Sequence, residues 1–303
     1  MKYILEDKIL KIEIASLFNE KVQDFFDEFI PSKKIQHLLI QNKWITLDGN
    51  PCKREDYIVG MNLEINIYPE TYEYHESKHK LDVVYEDEII LVVNKPKGVL
   101  VHSDGNDEDT LTEWVKAYFM DRPYISAYPL HRLDKETSGL VMFSKSIIFQ
   151  PLLDKLLSEK QIRRSYLAFV KGKMERNASM IINEPIGKDR HNANKRVVYK
   201  GGQNALTKVR SLGYSKKNDF SILRCILDTG RTHQIRVHMK AMGHPIYGDT
   251  LYGETDDSGL ISRQALHAYK LKFQSPRTKD ELALTAKLPA DIEKLIVSLK
   301  EAK

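Results

Sequence analysis

Residues 69–80, PETYEYHESKHK, are polar and charged with no apolar periodicity. Such a run offers no apolar face to a core, so the chain divides there into a small and a larger unit. The expected organisation is a small domain at 1–72, a linker at 73–80 and a larger domain at 81–303. The two sides also differ in charge. Residues 1–75 hold 9 Lys+Arg against 13 Asp+Glu, and residues 76–303 hold 38 against 29. The net charge of +5 therefore comes from the larger side, as a polyanion-binding surface requires, although many soluble proteins without such a partner are as basic.

Several classes are disfavoured by what the chain lacks. No apolar run approaches the ~18–20 residues of a membrane span, and MKYILEDKIL lacks the apolar core of a secretory signal. A cytoplasmic protein with no membrane association is expected. Cys52 and Cys225 lie far apart and suggest neither a disulfide framework nor a metal pair. His233 and His238 are five apart, which suits a metal pair on neither a helix nor a strand. There is no Gly-x-x-x-x-Gly-Lys-Ser/Thr loop and no Gly-x-Gly-x-x-Gly turn, so neither a metal nor a cofactor is expected.

In the small domain, Ile9, Ile12, Ile14 and Leu17 suggest a strand or an extended lead-in. Val22, Phe25, Phe26 and Phe29 recur at helical spacing until Pro31 stops them. Ser32 opens a second helical pattern with Ile35, Leu38 and Leu39 on its apolar face and Lys33, Lys34, Gln36 and His37 outside. Asp48-Gly49 marks a hairpin, and Leu63, Ile65 and Ile67 alternate as in a half-buried strand. Lys33, Lys34, Lys43, Lys53 and Arg54 concentrate positive charge here, against the single acid Asp48. Over about residues 22–68 the segment resembles the small RNA-binding module named after a ribosomal small-subunit protein. The resemblance rests on SKKIQHLLIQNKWITLDGNPCK and VGMNLEINIY, with Asp48 where that family's hairpin usually has asparagine. It implies RNA contact by Lys33, Lys34 and Lys43.

In the larger domain, Leu81–Tyr85, Ile89–Val93 and Val99–His102 suggest strands, with Lys95-Pro96-Lys97-Gly98 a turn. Thr110 to Glu113 fits a capping box ahead of a helix faced by Leu111, Trp114, Val115 and Phe119. A helix begins at Gln150-Pro151, and Arg164 to Lys171 is a strand closed by Gly172. Residues 185–204, basic and rich in Asn and Gly, suggest a solvated surface loop. Ser221–Leu227, Ala265–Phe273 and Leu282–Ala286 suggest strands, and His233–Met242 and Ile292–Leu299 helices. The fold class expected is α+β.

HRLDKETSGLVMFSKS, residues 131–146, sets Asp134 between Arg132 and Lys135, then runs through Gly139, which suits a turn, into an apolar strand. Asp134 could be a nucleophile, a general base or a surface ion pair. A two-carboxylate glycosidase needs facing groups, which Asp134 and Glu136 do not supply. A lone buried acid needs a cation to keep it ionised, and Arg231, after the glycine turn of GRTHQIRVH, could bind it in a forked geometry.

Five ordered stretches, VNKPKGVLVH, HRLDKETSGLVMFSKS, RSYLAFVKG, TGRTHQIRVHMKAMGHPIYGD and ALHAYKLKF, are together similar to the RluA family of RNA pseudouridine synthases over about residues 81–290. The resemblance implies a mixed, largely antiparallel sheet and a base-flipping isomerase for uridine in structured RNA. Ribosomal RNA is favoured as partner over transfer RNA, and the protein is expected to be a monomer. It places the nucleophile on Asp134, the base-stacking tyrosine on Tyr166, the ionising arginine on Arg231 and the base-displacing residue on Arg132. Ile235 becomes an apolar wall of the pocket. Arg164 stands where the family commonly has lysine, and Lys95, Lys97 and Arg263 become candidate RNA-backbone contacts. A binding protein on an idle scaffold and a cofactor-free glycosidase or nucleosidase are the competing readings.

Overall fold

Seven consecutive residues, Ser138–Ser144, are buried, so this strand is covered on both faces. Leu140 and Met142 enter one apolar cluster and Val141 and Phe143 the other. The neighbouring strand Ile90–Lys95 divides in the same way, with Ile90 and Val92 on one side and Leu91 and Val93 on the other. An alternating hydrophobic-polar pattern could not have built this centre.

The structure, a computed structural model, describes residues 2–6, 9–13, 19–60, 62–66, 77–103, 105, 109–122, 125–253 and 260–300. Ile14, Leu17, Ile67 and residues 73–76 of the expected linker lie outside them. Ten strands form the main sheet. In spatial order its path runs Ser179–Asn183, Leu206–Ser215, Phe220–Leu227, Arg163–Lys171, Leu266–Gln274, Ser138–Ser144, Ile90–Lys95 and Val83–Glu86. Tyr128–Pro129 and Glu281–Thr285 pair onto Ser138–Ser144 and Leu266–Gln274. The pairings are antiparallel except where Ser138 and Gly139 meet His267 and Ala268 in parallel. With its helices, the molecule is of the α+β class.

One face of the sheet carries the helices Leu111–Tyr118, Gln234–Ala241 and Ala290–Lys300, through Trp114, Val115, Ile235, Met239, Ile292 and Leu295. The opposite cluster takes in Leu152 and Leu153 of helix Gln150–Ser158, together with the amino-terminal core of Phe25, Phe26, Phe29, Leu63 and Ile65. That amino-terminal part pairs Lys2–Glu6, Ile9–Glu13, Asn62–Asn66, Ile45–Leu47 and Asn50–Pro51 into one sheet beside helices Val22–Phe29 and Lys33–Gln41. Asp48 (φ 46°) and Gly49 (φ 77°) make the tight turn expected between two of these strands.

Five local expectations need correction. Gly139 lies within a strand; at φ +118° its absent Cβ would sit 2.2 Å from the Ala268 carbonyl, so glycine is required by the close approach of two strands. Val99–His102 is not a strand, although Val101 is buried. Residues 185–204 contain a hairpin, Ile186–Lys188 with Arg196–Val198, rather than loop alone. Gln36 is buried and Leu38 is 36% exposed. Gln36 donates to the Ile30 carbonyl and accepts from Arg54, satisfying its polar ends inside. Thr110 caps its helix by accepting from the Glu113 amide, while the Glu113 carboxylate bonds Lys116 rather than completing the box.

Candidate active site

Asp134 sits in a turn just ahead of strand Ser138–Ser144, fixed from below by buried cations. Lys95, with no exposed surface, donates to the carbonyls of Pro96, Val99 and Lys135. Burial pushes its ammonium down to about 7 against the opposing pull of Glu136 and Asp134, and the three acceptors match the three N–H bonds of the charged form. Arg263 donates to the Glu136 carbonyl at 2.8 Å and forks Asp291 at 2.8 and 3.0 Å. Lys95 and Arg263 are therefore internal struts and not the backbone contacts expected of them. Lys97 is surface-accessible but pairs with Asp291.

The cation on Asp134 is Arg236, not Arg231. Arg236 Nη1 donates to Asp134 Oδ2 at 2.9 Å, while its Nε and Nη2 fork Asp249 at 2.7 and 2.9 Å. Asp249 has no exposed surface and also accepts from the Leu251 and Tyr252 amides. Burial opposes the Arg236 charge, but Asp249 and Asp134 outweigh it and hold the guanidinium above an ordinary arginine's pKa. The Tyr252 ring lies 5.0 Å from the guanidinium carbon. Arg231 is exposed, and its Nε donates to the Asn204 carbonyl.

The choice between the two arginines is made where the helix starts. His233 has φ 57° and ψ 20°, so the chain reverses there and enters helix Gln234–Ala241. Buried Gln234 fixes that entry by accepting from the Arg231 amide and the Thr229 hydroxyl and donating to Leu206 and Thr207. Arg236 then falls in the first turn facing Asp134, and Arg231 remains in the loop before it. His233 Nδ1 bonds the Tyr252 hydroxyl at 2.8 Å, and its Nε2 is 3.9 Å from Asp134 Oδ1. Burial holds this imidazole below its ordinary pKa, with Asp134 acting in opposition.

Asp134, Tyr166, Arg132, Ile235 and Arg231 line one cleft of about 590 Å³, together with Arg164 and His131. Tyr166 is 4% exposed. A bulge in the pairing of its strand with Leu266–Gln274 falls beside it, where Ser165 faces Lys270 but Tyr166 faces Ala268. Burial pushes the Tyr166 hydroxyl above an ordinary phenol's pKa, Arg164 acting against this and Asp134 with it, so the phenol is neutral near pH 7. Ile235 is 3% exposed and Arg132 is exposed. Burial pushes His131 down to about 3, and its Nε2 accepts from the Met142 amide. Lys33, Lys34 and Lys43 are exposed in the amino-terminal part; Lys33 pairs with Asp27 at 2.8 Å. The residues missed from the sequence are Arg236, Asp249 and Tyr252. The second arginine of GRTHQIR and the aspartate ending GHPIYGD were the available signals.

An aspartate in a turn, a buried guanidinium and a tyrosine thus share one cleft. The family model described as RNA pseudouridylate synthase matches residues 89–241. An uncharacterized RNA pseudouridine synthase of Bacillus subtilis, YhcT, is 38% identical over 71% of this chain and 71% of its own. A ribosomal large subunit pseudouridine synthase D of Neisseria meningitidis is 36% identical over 87% and 74%. The Vibrio vulnificus protein of that description is 30% identical over 98% and 94%. A human structure, RNA pseudouridylate synthase domain containing 1, superposes with a TM-score of 0.57 at 24% identity, covering 75% of this chain and 97% of that one, which supports the fold.

The chain belongs to the RNA pseudouridine synthase family. It is an isomerase acting on RNA. Among the described residues, no helix is long and apolar enough to cross a membrane.

Proposed function

We propose that this enzyme converts uridine to pseudouridine in large-subunit ribosomal RNA, flipping the target nucleotide into the cleft and using Asp134 as nucleophile. The observation that carries the reading is the Asp134 carboxylate held by Arg236 Nη1 in the same cleft as Tyr166. The guanidinium fixes one carboxylate oxygen, and the second is available to a reacting carbon. Asp134 bonds C1′ as the glycosidic N1–C1′ bond breaks, its electron pair passing to the base. The base turns, C5 bonds C1′ as the Asp134–C1′ bond breaks and frees the carboxylate, C5 loses its proton and N1 gains one, so no atom is gained or lost. Neutral Tyr166 is suited to stack on the base and to donate a hydrogen bond rather than to accept a proton.

A uridine in a helix cannot reach a carboxylate on the cleft floor, so it must leave the stack, and exposed Arg132 at the cleft is placed to occupy the gap. Lys33, Lys34 and Lys43 supply a separate exposed basic surface, on which the amino-terminal domain contacts RNA backbone. The preference for large-subunit ribosomal RNA over transfer RNA draws on the relatives described as large-subunit synthases. The enzyme acts as a cytoplasmic monomer.

Carbodiimide-blocked primer extension on ribosomal and transfer RNA, with and without the enzyme, tests the proposal. New enzyme-dependent stops in large-subunit RNA are expected. Stops confined to transfer RNA would overturn the substrate, and release of free uracil would overturn the reaction.

A further inference from the structure

Arg164 is a buried cation left without a counter-ion. It is 7% exposed, and its Nε is shielded from solvent with no hydrogen-bond partner. Among the described residues no carboxylate forms an ion pair with it. A buried charge in that state is unfavourable until something completes it. The fold nonetheless makes room for it: a Cβ on Gly230 would stand 3.0 Å from Arg164 Nη1, so glycine in that turn lets the guanidinium lie against the backbone. Arg164 and Tyr166 are both buried while Ser165 between them is less so, and alternation along the strand sends both side chains to the same face. Both line the cleft that holds Asp134.

The geometry points to Arg164 as the residue that hydrogen-bonds a carbonyl oxygen of the flipped uracil, an inference that rests on the base-flipping reading above. A nucleotide entering the cleft carries its base deepest and leaves its phosphate near the mouth, where Arg132 and Arg231 are exposed. The part that reaches a cation buried beside Tyr166 is the base. A guanidinium has donors only, and uracil O2 and O4 are acceptors, so the match is to a carbonyl edge. At O4 the same contact rejects cytosine, whose amino group there is a donor. When the N1–C1′ bond breaks, the electron pair entering the base spreads onto these oxygens, so the contact strengthens as the reaction proceeds.

The test is a cycle between enzyme and substrate. Wild type, Arg164→Met and Arg164→Lys receive one RNA carrying uridine, 2-thiouridine, 4-thiouridine or a methylphosphonate linkage at the target, under single turnover. Sulfur accepts hydrogen bonds more weakly than oxygen, so wild type shows a penalty where the contact is made. Arg164→Met is expected to slow uridine isomerisation by about 10- to 100-fold with little change in RNA affinity, and to erase one of the two thio penalties. Arg164→Lys, which keeps the charge but not the fork, retains part of that penalty and keeps the test open if the methionine variant does not fold. An equal slowing on every substrate would make Arg164 structural, and loss of the methylphosphonate penalty would make it a phosphate clamp. Either result overturns the inference. Asp134→Asn in the same series reads the nucleophile separately, so the two readings fail independently.

Discussion

Replacing Arg236 by methionine separates the two arginines of one motif. The change removes the donor to Asp134 and leaves Asp249, which has no exposed surface, with only the Leu251 and Tyr252 amides as partners among the described residues. Breaking a buried ion pair from one side costs about 3–5 kcal/mol. At roughly 2–4 °C per kcal/mol for a chain near this size, the thermal midpoint should fall by about 10 °C. Loss of the charged hydrogen bond to Asp134 should lower kcat by at least about 10- to 100-fold, measured well below the melting transition. Arg231→Met removes an exposed side chain that bonds one backbone carbonyl. It should cost less than about 1 kcal/mol and act mainly on KM. Differential scanning calorimetry and single-turnover pseudouridine formation read both quantities. A larger fall in kcat for Arg231→Met than for Arg236→Met would refute the assignment.

Gly139→Ala places a Cβ 2.2 Å from a carbonyl oxygen at φ +118°, and should destabilise by about 3 kcal/mol or more, seen as loss of soluble protein or a lowered urea midpoint. His267 is pushed down to about 4, by burial first and then by Arg263. Its folded pKa lies below the unfolded ~6.5, so the native state binds fewer protons between pH 4 and 6.5. Stability present above pH 6.5 is then lost as pH falls through that window, by up to about 1.4 kcal/mol per unit, and His267→Gln should flatten the urea-midpoint profile there. Lys34→Gln should reduce the salt dependence of RNA binding by about one counterion, whereas Arg263→Gln, removing a buried strut, should leave that slope unchanged and lower stability.

Local patterns in the sequence carried the sheet centre and most helices. The unbroken apolar run from Leu140 to Phe143 suggested a buried strand, and Val22, Phe25, Phe26 and Phe29 all turn inward at the spacing of a single helix. The hairpin at 186–198 escaped because its strands are three residues each and none of the six is both apolar and flanked by alternation. Gln36 and Leu38 exchanged places because Arg54, distant in sequence, supplies the buried amide with a partner. In the site, Asp134, Tyr166 and Ile235 were legible as residue types in a motif, and they do share a cleft. The guanidinium on Asp134 was not. Arg231 and Arg236 stand five residues apart, and only the left-handed turn at His233, with Gln234 bonded to the neighbouring strand, decides which one faces inward. Asp249, which anchors Arg236 from the far side, comes from a loop after the helix, and its place at the end of GHPIYGD does not by itself say which arginine it binds.

The proposed reaction depends most directly on the Asp134 carboxylate. Asp134→Asn preserves shape and leaves Arg236 still forked on Asp249, so the fold should persist. Single-turnover incubation with a large-subunit RNA fragment, read by carbodiimide-blocked primer extension beside a binding titration, should give RNA affinity near wild type and no pseudouridine. Pseudouridine formed by Asp134→Asn at a rate close to wild type would contradict the account.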